Sequence, residues 1–245
     1  MEYLIDVIIP LYNRTEYVDD LIGNLEKQNM RKFRAIFVDD GSTDGTYELL
    51  SEKLESVSFP HVLLKKENGG AASARNMGLK HADAPWVGFI DSDDIAQPEY
   101  LEYLYKAATE AEADLAVCSF GEISSMEDAA NHQAGELEYK VISPAECMKN
   151  YCTSWLGVYC LLIKQSLVRE NELYFDEECR LIDKKDFIYE VEEEDKTEFF
   201  ATFFKEYYNT LSLEFPDKIV SNELENKSIS SFQFTSLAFT KSGII

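Results

Sequence analysis

The first 120 residues alternate short apolar runs with polar turns and with segments of helical period. The apolar runs cover residues 4–9, 35–38, 62–64, 87–90 and 115–120. Short, nearly continuous apolar runs are typical of strands that are buried on both faces of a parallel sheet. The pattern therefore predicts five strands of a mostly parallel sheet in this part of the chain.

Segments with helical periodicity lie between these runs. Residues 15–28 place Val18, Leu21 and Leu25 on one face, and residues 45–57 carry a similar apolar stripe. Pro98 suits the first turn of a further helix. This alternation predicts an α/β fold, a three-layer α/β/α sandwich with right-handed crossovers, in which ligands bind at the carboxyl ends of the strands.

The pattern is looser beyond residue 120. Residues 121–140 are typical of a long loop, Ser143 and Glu146 have the spacing of a capping box, and residues 157–163 fit another strand. Residues 183–211 have a helical pattern, and the C-terminal end is polar and weakly patterned. We therefore divide the chain into two halves of one domain. Residues 1–120 have a regular pattern of strands and helices, and residues 121–245 have a looser one.

The composition indicates how large a hydrophobic core the chain can form and what net charge it carries. The chain has 245 residues, of which 45% are hydrophobic, and this is enough for a substantial core. It has 46 acidic against 23 basic side chains, a formal net charge of −23 that is spread over both halves. Such acidity argues against a nucleic-acid partner and against electrostatic docking on anionic lipid.

The cysteines and the N-terminal segment indicate a compartment. Five cysteines without a C-x-x-C pair fit a reducing cytosol better than a disulfide framework. The N-terminal segment has no basic region and no small-residue cleavage site, as expected for a first strand and not for a signal peptide. No stretch has the roughly 18 apolar residues of a membrane span. We expect a cytoplasmic protein, either free or peripheral at the inner face of the membrane.

Carboxylates follow two of the predicted strands. Asp91, Asp93 and Asp94 come directly after the fourth apolar run. Oxygen ligands two residues apart on an extended strand end point to the same side, which suits Mg²⁺ or Mn²⁺ bridging to a diphosphate. The alternative is a solvated turn that leads into the Pro98 helix. The position at the mouth of a buried strand favours the metal.

Asp39 and Asp40 follow the second apolar run in the same way. A carboxylate accepts hydrogen bonds only, so Asp40 is suited to the N3–H of a uracil ring or to a ribose hydroxyl. The alternative is turn chemistry, because Asp, Gly and Ser are the default turn residues and Asp44 is placed to cap the following helix.

A segment of small residues at 67–78 contains Gly69, Gly70 and Arg75. Small residues permit close approach of the backbone to a ligand, and the arginine offers a charged fork for a phosphate or a base. A tight helix start packed on the sheet explains the glycines but leaves the arginine unexplained. The G-x-G-x-x-G motif after the first strand and the G-x-x-x-x-G-K-[ST] motif are absent, which argues against dinucleotide and P-loop sites.

Four strings together resemble the family 2 glycosyltransferases, inverting enzymes with the GT-A fold. The strings are VIIPLYN at 7–13, FRAIFVDDGSTDGT at 33–46, ENGGAASARNMG at 67–78 and WVGFIDSDD at 86–94. They stand in the order and spacing of the family across roughly the first 120 residues. One string would be weak evidence, whereas four in register identify the resemblance strongly.

The resemblance implies a nucleoside-diphosphate sugar as the donor, most often a UDP-sugar, and a role for each matching residue. Pro10 and Tyr12 would flank the nucleobase. The implied nucleotide-binding residues are Pro10, Tyr12, Asp39, Asp40, Arg75 and Asp91, and the implied ligands of a Mn²⁺ or Mg²⁺ cofactor are Asp93 and Asp94. Residues 1–120 would bind the nucleotide sugar and residues 121–245 the acceptor, a saccharide or lipid-linked saccharide, as in the synthesis of a surface polysaccharide.

Transfer with inversion needs a base for the acceptor hydroxyl, and an ordinary Asp is ionised at pH 7 and can serve. In this family the base lies far downstream, usually in a Glu-Asp pair after a short strand and helix. Residues 161–177 resemble the segment that leads to this pair, but no Glu-Asp pair follows them. Asp183 is our first candidate for the catalytic base, and Asp186 is the second.

The missing pair leaves another hypothesis open, a catalytically impaired member that binds a nucleotide sugar or serves as a scaffold. A sugar-nucleotide pyrophosphorylase is a weaker alternative, because residues 10–14 hold no glycine where such enzymes have a phosphate loop. An aromatic stripe of period four at 199–211 predicts packing on the domain or on a second copy in a homodimer. The acidic run at 190–195 is interpreted as a solvated helix face.

Overall fold

The computed structural model describes residues 3–118, 137–141, 160–175 and 177, together with the backbone of residues 235–239. In chain order the elements are β1 (Ile5–Leu11), a 3-10 turn (Thr15–Tyr17), α1 (Val18–Glu26), β2 (Phe33–Asp39), α2 (Thr46–Leu54), β3 (His61–Lys65), α3 (Gly70–His81), β4 (Trp86–Phe89), α4 (Tyr100–Glu110), β5 (Leu115–Cys118), β6 (Glu138–Tyr139), β7 (Leu161–Lys164), α5 (Gln165–Glu170) and β8 (Thr235–Phe239).

The strands form one mixed sheet in the order β3-β2-β1-β4-β7-β5-β8-β6. β3, β2, β1 and β4 are parallel neighbours. β7 is antiparallel to both β4 and β5 and therefore separates them. Beyond β5, β8 pairs antiparallel with β5 and parallel with β6. The predicted parallel sheet is thus formed by the first four strands, and the strand predicted at 157–163 is β7.

The sheet is covered by helices on both faces. Along β1, Ile5, Val7, Ile9 and Leu11 face one core, which also holds the apolar side chains of α1, α2 and α4. Ile8 faces the opposite core, to which α3 and the end of α5 contribute. The alternation follows from the period of two along a strand, and burial on both faces explains why the run is apolar at nearly every position. The predicted three-layer sandwich is confirmed.

Some predicted elements differ from those observed. β3 is only half-buried because it lies at the edge of the sheet, so the expectation that every run is buried on both faces was wrong there. β6 lies within the stretch predicted as a loop, and β8 was missed because its residues are weakly patterned. The helices predicted from Ser143 and over 183–211 lie outside the described residues.

A buried ion pair closes the amino edge of the parallel strands. Asp6 of β1 is fully buried and accepts hydrogen bonds from Nε and Nη2 of Arg34 on β2, at 2.7 and 2.8 Å. The same carboxylate accepts from the backbone N–H groups of Asp83 and Ala84 at the end of the α3–β4 connection. Because every oxygen of Asp6 is satisfied, this edge is structural and leaves the opposite, carboxyl edge for a ligand.

Among the described residues, none of the helices combines the length and the apolar character that crossing a membrane requires.

Candidate active site

The carboxyl ends of β1 and β2 lie side by side at the carboxyl edge of the parallel strands. Pro10 and Leu11 pair with Val38 and Asp39, and the N–H of Asp40 donates to the Leu11 carbonyl at 2.8 Å. Pro10 is buried within β1, whereas the ring of Tyr12, one residue beyond the strand, is 46% exposed. The structure therefore brings the two predicted nucleobase neighbours to one strand end, with only Tyr12 open to a ligand.

The loops that follow β1 and β2 are bonded to each other. Asn13, which adopts a positive φ of 51°, accepts from the Thr43 N–H at 2.9 Å, and its own N–H donates to the Ser42 hydroxyl at 3.0 Å. Asp44 accepts from the hydroxyls and N–H groups of Thr15 and Thr46. Burial acts to raise the pKa of Asp44, but these hydrogen bonds outweigh it and lower the pKa to about 2. The N-cap of α2 is Gly45 and not Asp44, so the expected capping position was wrong by one residue. Asp44 nevertheless accepts from the N–H of Thr46, the first residue of α2, and the same carboxylate ties the two loops together.

Asp40 holds the start of α3. Its buried carboxylate accepts from Lys66 Nζ at 2.7 Å and from the N–H groups of Gly69 and Gly70 at 3.0 and 2.7 Å. Negative charge is favoured at a helix N-terminus because the first N–H groups have no partner within the helix. Asp40 therefore has a structural role here, and its contact with a nucleobase stays a prediction.

Gly41 permits this close approach of the β2 end to the start of α3. It has a φ of +78°, and a β-carbon at this position would lie 2.8 Å from the backbone nitrogen of Asn68. The preceding residue, Asp39, is fully buried; one of its oxygens accepts from the Ser42 N–H at 3.1 Å. The other oxygen of Asp39 has no hydrogen-bond partner among the described residues, which is rare for a buried carboxylate.

Arg75 and Asp91 form an ion pair across the mouth of β4. The Arg75 guanidinium, on α3, donates to Asp91 Oδ1 at 2.6 Å and lies 5.7 Å from the ring centroid of Phe175. The side chains of Arg75 and Asp91 are 12% and 26% exposed. Two of the predicted nucleotide-binding residues are thus in direct contact, and Arg75 Nε has no partner among the described residues.

Asp93, the predicted metal ligand, is paired with a second arginine. Arg14, from the loop after β1, lies 3.4 Å from Asp93 Oδ2, and both side chains are about two-fifths exposed, at 39% and 44%. Asp94 follows directly, and its carbonyl accepts from the Asn24 amide of α1 at 3.3 Å. The exposed end of β4 therefore carries carboxylates and guanidiniums side by side.

Two buried side chains fix the connection from β4 to α4. The hydroxyl of Tyr100 donates to the Phe89 carbonyl at 3.0 Å, and burial raises the pKa of Tyr100, so it remains a protonated donor. Gln28 is fully buried and donates to the carbonyl of Gln97 at 2.8 Å. These bonds hold the acidic loop from the start of α4 and from the segment that follows α1.

The donor set can be compared with what Mg²⁺ or Mn²⁺ requires. Within residues 3–118, 137–141, 160–175 and 177, no three His, Cys, Asp or Glu side chains gather as a ligand set. Mg²⁺ is commonly bound through one or two carboxylates while water and substrate phosphates complete its shell. Asp93 and Asp94 fit a site of that open kind and do not form a closed one.

Some residues that shape this edge were not singled out from the sequence. Arg14, Lys66 and Asn76 each contact a site residue or a segment next to one. One sequence feature could have identified Arg14 and Lys66: each is a basic residue that stands shortly after a predicted strand in a strongly acidic chain. Asn76 had no signal beyond its place beside Arg75. The two candidates for the catalytic base, Asp183 and Asp186, lie outside the described residues.

The parallel strands and the charged carboxyl edge define an α/β protein with a candidate ligand site at the ends of β1, β2 and β4. The chain matches the family model described as Glycosyl transferase family 2 over residues 6–187. Because this match covers most of the chain, the protein belongs to glycosyltransferase family 2, as the four sequence strings indicate.

Two curated relatives show how much of a longer enzyme the chain resembles. The glycosyltransferase GlyG of Streptococcus pneumoniae serotype 4 is 34% identical over 120 residues, which are 49% of this chain and 40% of GlyG. TarS of Staphylococcus aureus, a poly(ribitol-phosphate) β-N-acetylglucosaminyltransferase, is 28% identical over 180 residues, 71% of this chain and 30% of TarS. The chain therefore spans less than half the length of either relative.

Solved structures confirm the predicted fold. TarS 1–349 in complex with UDP-GlcNAc is similar with a TM-score of 0.55 at 26% identity, over 72% of this chain and 49% of that one. The mannosyltransferase PcManGT from Pyrobaculum calidifontis, in complex with GDP-Man and Mn²⁺, has a TM-score of 0.55 at 19% identity, over 83% and 52% of the two chains. The likeness to PcManGT shows the GT-A fold alone.

Proposed function

We propose that the protein transfers a sugar from a UDP-sugar to an acceptor hydroxyl with inversion. One observation carries the proposal: the end of β4 presents two ion pairs, Arg75 with Asp91 and Arg14 with Asp93, at the carboxyl edge of a parallel sheet. A diphosphate with its divalent cation needs both anionic ligands and cationic partners. An edge with both kinds of group suits such a complex better than a purely acidic or purely basic edge would.

A metal ion fits this proposal through Asp93 and Asp94. A bound Mn²⁺ or Mg²⁺ would neutralise part of the negative charge on the departing diphosphate. Arg75 would contribute a fixed positive charge to the diphosphate or hydrogen bonds to the base, and Asp91 would hold the ribose. Asp39, one of whose oxygens has no hydrogen-bond partner within the described residues, and Asp40 would lie beside the uracil ring, and Tyr12 would cover it.

The acceptor side of the proposal rests on the second half of the chain. Asp183, or Asp186, would take the proton of the acceptor hydroxyl while the sugar leaves UDP. TarS acts on poly(ribitol-phosphate), and we propose that this chain likewise serves the synthesis of a surface polysaccharide, on a saccharide or lipid-linked saccharide acceptor. Residues 1–120 would bind the donor and residues 121–245 the acceptor.

A thermal-shift measurement tests donor binding. UDP with Mn²⁺ should raise the melting temperature of the wild type, and Asp93→Ala should abolish the shift. Asp19→Ala is the matched control, because Asp19 is also an exposed carboxylate in an ion pair, with Lys53 at 2.6 Å, but lies on α1 outside the proposed site. The absence of a shift with every nucleoside diphosphate would refute the binding site.

Donor hydrolysis distinguishes a working enzyme from a member that only binds. Release of UDP from UDP-GlcNAc and other sugar nucleotides is followed with Mn²⁺ or Mg²⁺ and no added acceptor. Turnover that is lost in Asp183→Asn or in Asp186→Asn identifies the base. Turnover that persists in both variants contradicts the base assignment, and intact UDP binding without turnover of any donor favours the scaffold hypothesis.

A further inference from the structure

Cys118 and Cys160 lie opposite each other on neighbouring chains of the sheet. β5 and β7 are antiparallel, and Val117 pairs with Leu161. Cys118 is the next residue of β5, and Cys160 directly precedes β7, so the same register continued by one position sets the two cysteines face to face. Directly opposite residues of antiparallel strands have Cα atoms about 4.5–5.5 Å apart. The sheet itself therefore holds the two cysteines close together.

The two side chains also enter the same core. Because side chains alternate along a strand, Cys118 shares a face with Ala116, and Cys160 shares a face with Leu162. Ala116 and Leu162 pair with each other, and all four residues belong to the core that α1, α2 and α4 cover. Both cysteines are free thiols. The hydrogen bond with Cys118, together with burial, raises the pKa of Cys160, so the two thiols are in direct contact.

This arrangement meets the geometric requirement of a disulfide. Disulfide-bonded cysteines have Cα atoms about 4.4–6.8 Å apart, and the spacing of opposite residues on antiparallel strands falls inside that range. The bond can therefore close by rotation of the two side chains while β5 and β7 keep their places. Within the described residues these are the two cysteines that the chain contains.

We propose that Cys118 and Cys160 form an oxidation-sensitive site that closes to a disulfide when the protein meets a peroxide. Cys118 is 6% exposed and Cys160 is 2% exposed, so the oxidant reaches Cys118 first. The Cys118 sulfur bonds to one oxygen of hydrogen peroxide while the other leaves as water, which gives a sulfenic acid. The Cys160 sulfur then bonds to Cys118 Sγ, and the sulfenic hydroxyl leaves as a second water. The two thiols thus give two electrons and two protons to the peroxide.

The surroundings of the pair determine when this reaction occurs. The thiolate is the reactive form of a cysteine, and the raised pKa of Cys160 keeps that thiol protonated at neutral pH. The pair therefore stays reduced in a reducing cytosol and responds only to sustained exposure to a peroxide. The disulfide would join β5 to β7, which pairs with β4 on its other side. This inference is independent of the proposed function.

Mass mapping of the full chain tests the site. The native wild type is treated with hydrogen peroxide, alkylated, and digested without reductant. We expect a linked pair of peptides that contain Cys118 and Cys160, lighter by two hydrogen atoms than the sum of the reduced peptides and separated again by dithiothreitol. The same treatment is applied to a pair-only variant, in which the remaining cysteines are replaced by Cys147→Ser, Cys152→Ser and Cys179→Ser.

The pair-only variant also gives a thermal readout. Because the disulfide closes a loop of about 40 residues, its oxidised form should melt about 5 °C or more above its reduced form, and dithiothreitol should abolish the difference. Adding Cys160→Ser provides the matched control, since it keeps the more exposed thiol and removes its partner. In that control dimedone should trap a sulfenic acid on Cys118, and peroxide should leave the melting temperature unchanged.

Three results would overturn the inference. The first is a native wild type in which peroxide gives sulfinic acids or no change at Cys118 and Cys160 and no linked peptides. The second is a wild type in which Cys118 links to other cysteines as often as to Cys160. The third is an oxidised pair-only variant that melts at or below the temperature of its reduced form. If the pair-only variant does not fold, the mapping of the wild type decides alone.

Discussion

Gly78 brings α3 close to β1, an inner strand of the parallel block. A β-carbon at Gly78 would lie 3.0 Å from Cγ1 of Ile8 and closer still to Cγ2, and Ile8 is fully buried in β1. Both atoms stand near the backbone of a branched side chain and cannot swing away. Gly78→Ala should therefore separate α3, which carries Arg75 and Asn76, from the sheet.

The change in unfolding free energy that Gly78→Ala causes follows from two opposing effects. Alanine in place of a helical glycine gains about 1 kcal/mol of helix propensity, and overpacking a core costs about 1–3 kcal/mol. Gly23 in α1 gives the first effect alone, because a β-carbon there would meet nothing within 4 Å. Gly23→Ala should therefore stabilise by about 0.5–1 kcal/mol, and Gly78→Ala should be less stable than Gly23→Ala by about 1–3 kcal/mol.

Denaturant unfolding of wild type and both variants measures these differences through the transition midpoints. In an Ile8→Ala background the clash is absent, so Gly78→Ala should become neutral or stabilising, and this double-mutant cycle isolates the contact between the two residues. Equal stabilisation by Gly78→Ala and Gly23→Ala in the wild-type background would refute the close approach of α3 to β1.

Further predictions concern three charged sites. Arg14→Gln should leave stability within about 1 kcal/mol of wild type, because the pair with Asp93 is exposed, but should tighten Mn²⁺ binding measured by calorimetry without nucleotide, since a competing cation is lost; unchanged affinity would contradict a metal site at Asp93. Asp44 has a pKa near 2 in the folded state against 3.8 ordinarily, so its stabilising effect is fully present above about pH 4–5 and is lost as the pH falls towards 2. The difference in unfolding free energy between wild type and Asp44→Asn should accordingly shrink over that range, and a constant difference would speak against the hydrogen bonds. Asp6→Asn should cost about 1.5–3 kcal/mol in denaturant unfolding, because Arg34 would lose its buried carboxylate partner and keep only the more exposed Asp83; a loss below about 1 kcal/mol would show that the pair is dispensable.

The elements that could be predicted from sequence are those whose pattern is set by local burial. β1, β2 and β4 are apolar at nearly every position because both faces are covered, and the acids after β2 and β4 fall at one edge because the strands are parallel. The pairing of Arg75 with Asp91 is a consequence of that edge. The four motif strings supplied the expectation that these residues act together.

The contacts that could not be predicted join residues far apart in sequence. Arg14 reaches Asp93, and Asn76 reaches Phe175, only after the sheet has brought their loops together. Arg14 has only the signal of a basic residue after a predicted strand, and Asn76 only its place in the string at 67–78. Neither signal names a partner, because a single polar residue on a loop or helix is compatible with many partners. The pairing of β8 with β5 was missed for a similar reason, since strand order depends on the whole sheet.

The place of β7 between β4 and β5 has a consequence for the way the chain folds during synthesis. The parallel block β3-β2-β1-β4 is complete once residue 89 has emerged, but β5 pairs with none of its strands, because in the described part of the chain β7 lies between β4 and β5. Until residues 161–164 are synthesised, the edge of β4 that pairs with β7 has no strand partner. The edge of β5 that pairs with β7 lacks its partner as well. A nascent or truncated chain that ends between β5 and β7 should therefore be prone to pair with other chains through β4, and synthesis through β7 removes that hazard.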